Sequence, residues 1–124
     1  MDPHFDGVIF KTHAAELRRR LRFRFPPFCV LDVRPREDYE AGHIPGALAV
    51  TAPDLARSLP EGTTERTEFF VVATRPEDPA MREASIALRK RGAHRVVELT
   101  GGMTEWELMG GPLEPAGAEA TLAA

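Results

Sequence analysis

The residues best placed for chemistry sit together in Thr74-Arg75-Pro76-Glu77-Asp78-Pro79, directly after the apolar run Phe69-Phe70-Val71-Val72-Ala73. A loop leaving the carboxyl end of a covered strand is where open α/β sheets hold their ligands. Three uses follow from the residue types. Thr74, or a bound water, is a nucleophile with Glu77 or Asp78 as its base. Alternatively, Arg75 and Arg82 hold an anion, with Glu77 and Asp78 competing for them. In the third use the loop does no chemistry and presents its charges to a partner. A threonine hydroxyl hardly ionises near neutral pH without an activating base, and nothing in the spacing sets such a base beside Thr74.

Cys29 is the single cysteine. It opens the apolar strand expected over residues 29–33, so it lies away from the carboxyl edge and reads as an inert thiol that behaves as a small hydrophobe. Asp32 interrupts the same strand. An ionised carboxylate there is costly unless paired, and Arg34 or local backbone N–H groups are the expected partners. His43 has no Cys, His or carboxylate cluster at metal spacing, so a hydrogen-bonded turn histidine is expected and no metal or cofactor. Gly42 and Gly46 suit backbone that a side chain would strain, with Pro45 stiffening the turn between them. Trp106 is expected to pack against the sheet.

The elements that position these residues alternate short apolar runs with helix-periodic stretches, the pattern of an α/β domain with a largely parallel sheet. Strands are expected over residues 8–10, 28–33, 47–50, 69–73 and 96–99. Helices are expected from a Thr12 cap through Leu21, over 36–41 with a left-handed cap at Gly42, near 53–59 capped by Thr51, over 80–91 stopped at Gly92, and over 103–109. Gly101-Gly102 makes a tight turn before the last helix. Arg18, Arg19 and Arg20 read as a solvated helix face rather than a nucleic-acid surface. The chain has 124 residues, 43% hydrophobic and 28% charged, with 16 basic against 19 acidic side chains. That balance fits one globular domain over residues 1–114 with a flexible tail over 115–124, and neither a general nucleic-acid binder nor a membrane protein. The N-terminal residues lack the basic and apolar regions of a signal peptide, and a lone cysteine fits a reducing compartment, so a cytoplasmic location is expected.

The run Leu31-Asp32-Val33-Arg34-Pro35-Arg36-Glu37-Asp38-Tyr39-Glu40-Ala41-Gly42-His43-Ile44-Pro45-Gly46-Ala47 is similar to the signature of the rhodanese family. Leu99-Thr100-Gly101-Gly102-Met103-Thr104-Glu105-Trp106 resembles its closing motif, with Gly110 and Pro112 matching the end, and residues 84–92 resemble the helix after its active loop. The ordered set covers nearly the whole chain. It implies the rhodanese-like three-layer fold, a central, mostly parallel five-stranded sheet flanked by helices. It marks Asp32, Arg34, Gly42, His43, Gly46, Gly101, Gly102 and Trp106 as structural motif positions. It also implies thiosulfate sulfurtransferase chemistry on a cysteine immediately after the central strand.

At that position stands Thr74, and a hydroxyl cannot form a persulfide. The family's loop N–H groups cradle an anion, whereas Pro76 and Pro79 remove donors and Glu77 and Asp78 add negative charge. Active single-domain rhodaneses place an arginine soon after the cysteine, while this chain has Ala80 and Met81 and reaches Arg82 later. The loop is about one residue longer than the sulfurtransferase form, like that of the cell-cycle dual-specificity phosphatases, which also need the cysteine. The expectation is a catalytically inactive rhodanese-homology domain that works as a binding or regulatory module through residues 74–82, with Arg75, Glu77, Asp78 and Arg82 as binding residues. Its partner is expected to be a protein, with no nucleic acid or membrane, and homo-oligomerisation stays open. The alternatives are a sulfurtransferase-related or other enzyme with a non-cysteine nucleophile, and a scaffold or oligomer subunit whose loop has drifted.

Overall fold

A computed structural model describes residues 8–23 and 26–115. Five strands form one sheet: β1 (Phe10–Thr12), β2 (Phe28–Asp32), β3 (Leu48–Ala49), β4 (Glu68–Val72) and β5 (Arg95–Leu99). Their order is β1-β5-β4-β2-β3, and every pairing is parallel. Five helices connect them: α1 (Ala14–Arg20), α2 (Arg36–Ala41), α3 (Ala52–Arg57), α4 (Pro79–Lys90) and α5 (Gly102–Leu108).

Strand side chains alternate between faces, so one sheet supports two cores. Val30, Phe70, Val72, Val97 and Leu99 meet α1, α2 and α5 through Leu17, Tyr39, Met103 and Trp106. Leu31, Phe69, Val71 and Val96 meet α3 and α4 through Leu55, Met81, Ala84 and Leu88. Covering on both faces explains the near-continuous apolar runs of β2 and β4.

Several boundaries differ from the sequence expectation. The first strand begins at Phe10 and takes in Thr12, because residues 10–12 pair with Val97, Glu98 and Leu99. Thr12 is therefore not a helix cap. His13 holds that position without a side-chain cap bond, and Glu105 Oε1 accepts from Ala14 N–H at 2.9 Å instead. Gly42 is not left-handed: its φ of 169° is extended backbone open to any residue. Arg20 leaves the solvated face and donates to Glu68 Oε1 at 2.7 Å, while Arg18 and Arg19 are exposed. Thr51 caps α3 in a full capping box with Asp54, and the positive φ of Gly92, 98°, closes α4. Of the expected tail only Pro115 falls within the described residues.

Candidate functional site

β4 delivers buried Ala73 and half-buried Thr74 to the carboxyl edge of the sheet. Thr74, Arg75, Glu77 and Asp78 line an open depression of about 400 Å³. The floor of the loop is held by α5. Ala73 O accepts from Met103 N–H at 2.9 Å, and Thr74 O lies 3.2 Å from Thr104 Oγ1 and 3.4 Å from Thr104 N. Gly102 makes that approach possible: it has φ +62°, and a Cβ there would lie 2.5 Å from Thr74 O and 2.9 Å from Ala73 O. The Gly101-Gly102 pair is thus a support beneath the loop as well as a turn.

Two amides at the end of the loop are used within it. Asp78 N–H donates to Arg75 O at 3.2 Å, closing a turn with Pro76 in its second position. Asp78 is also the N-cap of α4, its Oδ1 accepting from Ala80 N–H at 3.0 Å and its carbonyl from Met81 N–H at 3.1 Å. Pro79 occupies the first turn of α4, where a missing N–H costs least. Its effect is therefore to start the helix and not to strip a donor from a cradle. Arg75 and Glu77 are exposed.

Arg82 is not part of this site. Its guanidinium donates to Glu98 on β5 at 2.8 and 3.0 Å, and it does not line the depression. The buried carboxylate decides its direction. Glu98 lies on the α4 face of the sheet, and Ser85 Oγ sits 2.8 Å from its Oε2 and 2.9 Å from Met81 O. Burial is the largest single influence on the Glu98 carboxyl and pushes it up. Hydrogen bonds from Arg82 and Ser85, with the Arg82 and Lys11 charges, outweigh it and leave Glu98 below the usual carboxylate range. Sequence reasoning missed Glu98, although the signal was the one used for Asp32: a lone carboxylate in an apolar strand.

Asp32 is held as a bidentate pair, with Arg34 Nη2 at 2.9 Å from Oδ2, Arg34 Nε at 3.1 Å from Oδ1 and Arg34 N–H at 3.0 Å from Oδ1. Arg34 also donates to Gly42 O at 2.8 Å, tying the start of α2 to its end. His43 is fully buried, stacked on Tyr39 with ring centroids 3.8 Å apart, its Nδ1 2.8 Å from Tyr39 O. Its Nε2 faces Glu114 Oε1 at 3.6 Å, and Glu114 Oε1 accepts from Gly46 N–H at 2.8 Å. Gly46 needs its residue type, having φ +83°. Trp106 is buried, and its Nε1 donates to Pro112 O at 2.9 Å. None of these groups lines the depression. Burial pushes the Cys29 thiol up to about 11, so it is protonated at neutral pH. Among the described residues, no group of three His, Cys, Asp or Glu could hold a metal ion, and no helix is long and apolar enough to cross a membrane.

Fold and site together define an open parallel α/β domain with a strand-end loop braced by a Gly-Gly turn. A family model for the rhodanese-like domain matches residues 13–109, and the chain belongs to that family. It is 36% identical over 103 residues to the HTH-type transcriptional regulator Rv0324 of Mycobacterium tuberculosis, covering 83% of this chain and 43% of that protein. It is 29% identical over 77 residues to the putative sulfur carrier protein YrkF of Bacillus subtilis, covering 62% of this chain and 40% of that one. The chain therefore spans less than half the length of these relatives. The solution structure of the rhodanese-like domain of the Alr3790 protein from Anabaena superposes with a TM-score of 0.72 at 34% identity, over 87% of this chain and 80% of that one.

Proposed function

We propose that this chain is a rhodanese-like domain that does not transfer sulfur and serves as a binding or regulatory module. Its recognition surface is the loop over residues 74–78, and its ligand is a protein surface carrying Arg or Lys opposite Glu77. The observation that carries this reading is the internal use of the loop's donors: Asp78 N–H is spent on Arg75 O, and the first free amide of α4 on Asp78 Oδ1. An anionic sulfur donor would find no thiol at Thr74 and would have to displace Arg75 O and Asp78 Oδ1 to reach the Asp78 and Ala80 amides. The likeness to a longer transcriptional regulator supports a module that works beside other chain. The likeness to a protein named as a sulfur carrier favours sulfur handling, but the single thiol, Cys29, sits within β2 and stays protonated.

Purified chain should give no thiosulfate:cyanide sulfurtransferase rate above background, with Cys29→Ser as control. A rate that vanishes in Cys29→Ser overturns the reading. Capture of a basic partner by the chain, lost when residues 74–78 are scrambled, supports it.

A further inference from the structure

The opposite face of the sheet carries a surface that the loop does not use. Where α3 and α4 lie side by side they leave an open groove of about 550 Å³. Its floor is apolar: Ala52, Pro53 and Ala56 from α3, Ile86 and Ala87 from α4. Charges close its two ends along α4, Glu83 at one and Lys90 with Arg91 at the other.

We propose that this groove is the contact surface of a homodimer, with α4 of one copy lying antiparallel across α4 of a second about a twofold axis at Ile86 and Ala87. The charge pattern names the occupant. A twofold interface sets residue i against j and j against i, so a surface fits itself only if opposite charges stand equidistant from the axis. Glu83 and Lys90 are seven residues apart, two helical turns on one face, and their midpoint falls between Ile86 and Ala87. Antiparallel crossing there sets each Glu83 against the second copy's Lys90, with Arg91 one residue beyond. Ala87 at the crossing is small enough for the helix axes to approach to the usual 8–10 Å. Ile86 supplies apolar area at the centre, and the antiparallel arrangement lays the positive end of one helix beside the negative end of the other.

This inference is independent of the loop and its partner, and its test reads self-association alone. Sedimentation of the full chain across the micromolar range should give twice the monomer mass. Glu83→Lys and the pair Lys90→Glu/Arg91→Glu each set like charges together at both ends, and each should weaken self-association roughly tenfold or more. Mixing the two variants should restore a dimer, because each then meets the opposite charge. All three positions are exposed, and circular dichroism checks that the variants fold. Independently, Ala87→Cys in a Cys29→Ser background should oxidise to a disulfide-linked dimer, since the axis brings the two positions together. A monomeric wild-type chain, variants that associate as wild type does, a mixture that stays monomeric, or no cross-link at position 87 would each overturn the proposal.

Discussion

Thr74 and Arg34 show how differently single residues bear on this domain. On the proposed reading Thr74 stands where a sulfur-transferring relative would carry its cysteine, yet its replacement by cysteine should not create that activity. In Thr74→Cys the Asp78 amide remains on Arg75 O and the helix amide on Asp78 Oδ1, so the new thiolate draws on neither, and the nearby Glu77 and Asp78 charges raise its pKa. The single substitution should stay at background in the sulfurtransferase assay, while a graft of a sulfurtransferase-type loop over residues 74–81 should exceed it. Equal activity in both would refute the role given to the backbone. Arg34 matters to stability. With side chains 7% and 1% exposed, the Arg34–Asp32 pair is desolvated, and Arg34→Ala strands a buried carboxylate. Urea denaturation should show a loss of about 3–5 kcal/mol. Arg34→Ala with Asp32→Ala should cost less than the two single changes summed, and strict additivity would speak against a coupled pair.

At the scale of the element, the ends of α4 are set locally and the direction of its Arg82 is not. Its start and stop are legible because caps are local: Asp78 and Pro79 open it, and Gly92 closes it. Which way Arg82 points is not local, since the direction is set by Glu98 sixteen residues on, where α4 packs on β5. The pair predicts a pH dependence. The folded Glu98 carboxyl titrates below its ordinary value of 4.5, so its contribution is fully present above that pH and is lost as pH falls through the lower folded value. Arg82→Ala should cost on the order of 1–2 kcal/mol at neutral pH, the half-exposed guanidinium keeping the figure modest. Thermal melts should show that difference shrinking below pH 4.5, and a constant difference down to acid would exclude the pair as its source. The α1 boundary went the other way. Thr12 has the composition of a cap, but pairing with Leu99 takes it into the sheet, and Glu105 from α5 does the capping.

Over the whole molecule, closure is made at the far end of the described chain. The segment after α5 returns to the turn before β3, where His43 and Glu114 exchange backbone hydrogen bonds at 2.9 and 2.8 Å and the Glu114 carboxylate takes Gly46 N–H. The Trp106–Pro112 bond fixes the path between. Residues of α2, the β3 turn and the C-terminal segment therefore share one network, although they are far apart in sequence. Glu114→Ala should cost about 0.5–1.5 kcal/mol in urea denaturation, the exposed Gly46 amide passing to water, and should speed amide exchange at Gly46. An unchanged Gly46 amide would show that the carboxylate is not its acceptor.

The sequence by itself determined the class of fold, the order of the elements, the cap of α3 and the stop of α4 at Gly92. Each of these depends on residue type and short-range periodicity, which carry their physics locally. Only the tertiary structure decided that Arg82 belongs to Glu98, that Gly102 supports Thr74, and that Glu114 locks against His43 and Gly46. Those choices pair groups from distant parts of the chain. A buried charge or an open backbone donor takes whichever partner the packed elements bring within reach, and spacing along the chain does not record that distance.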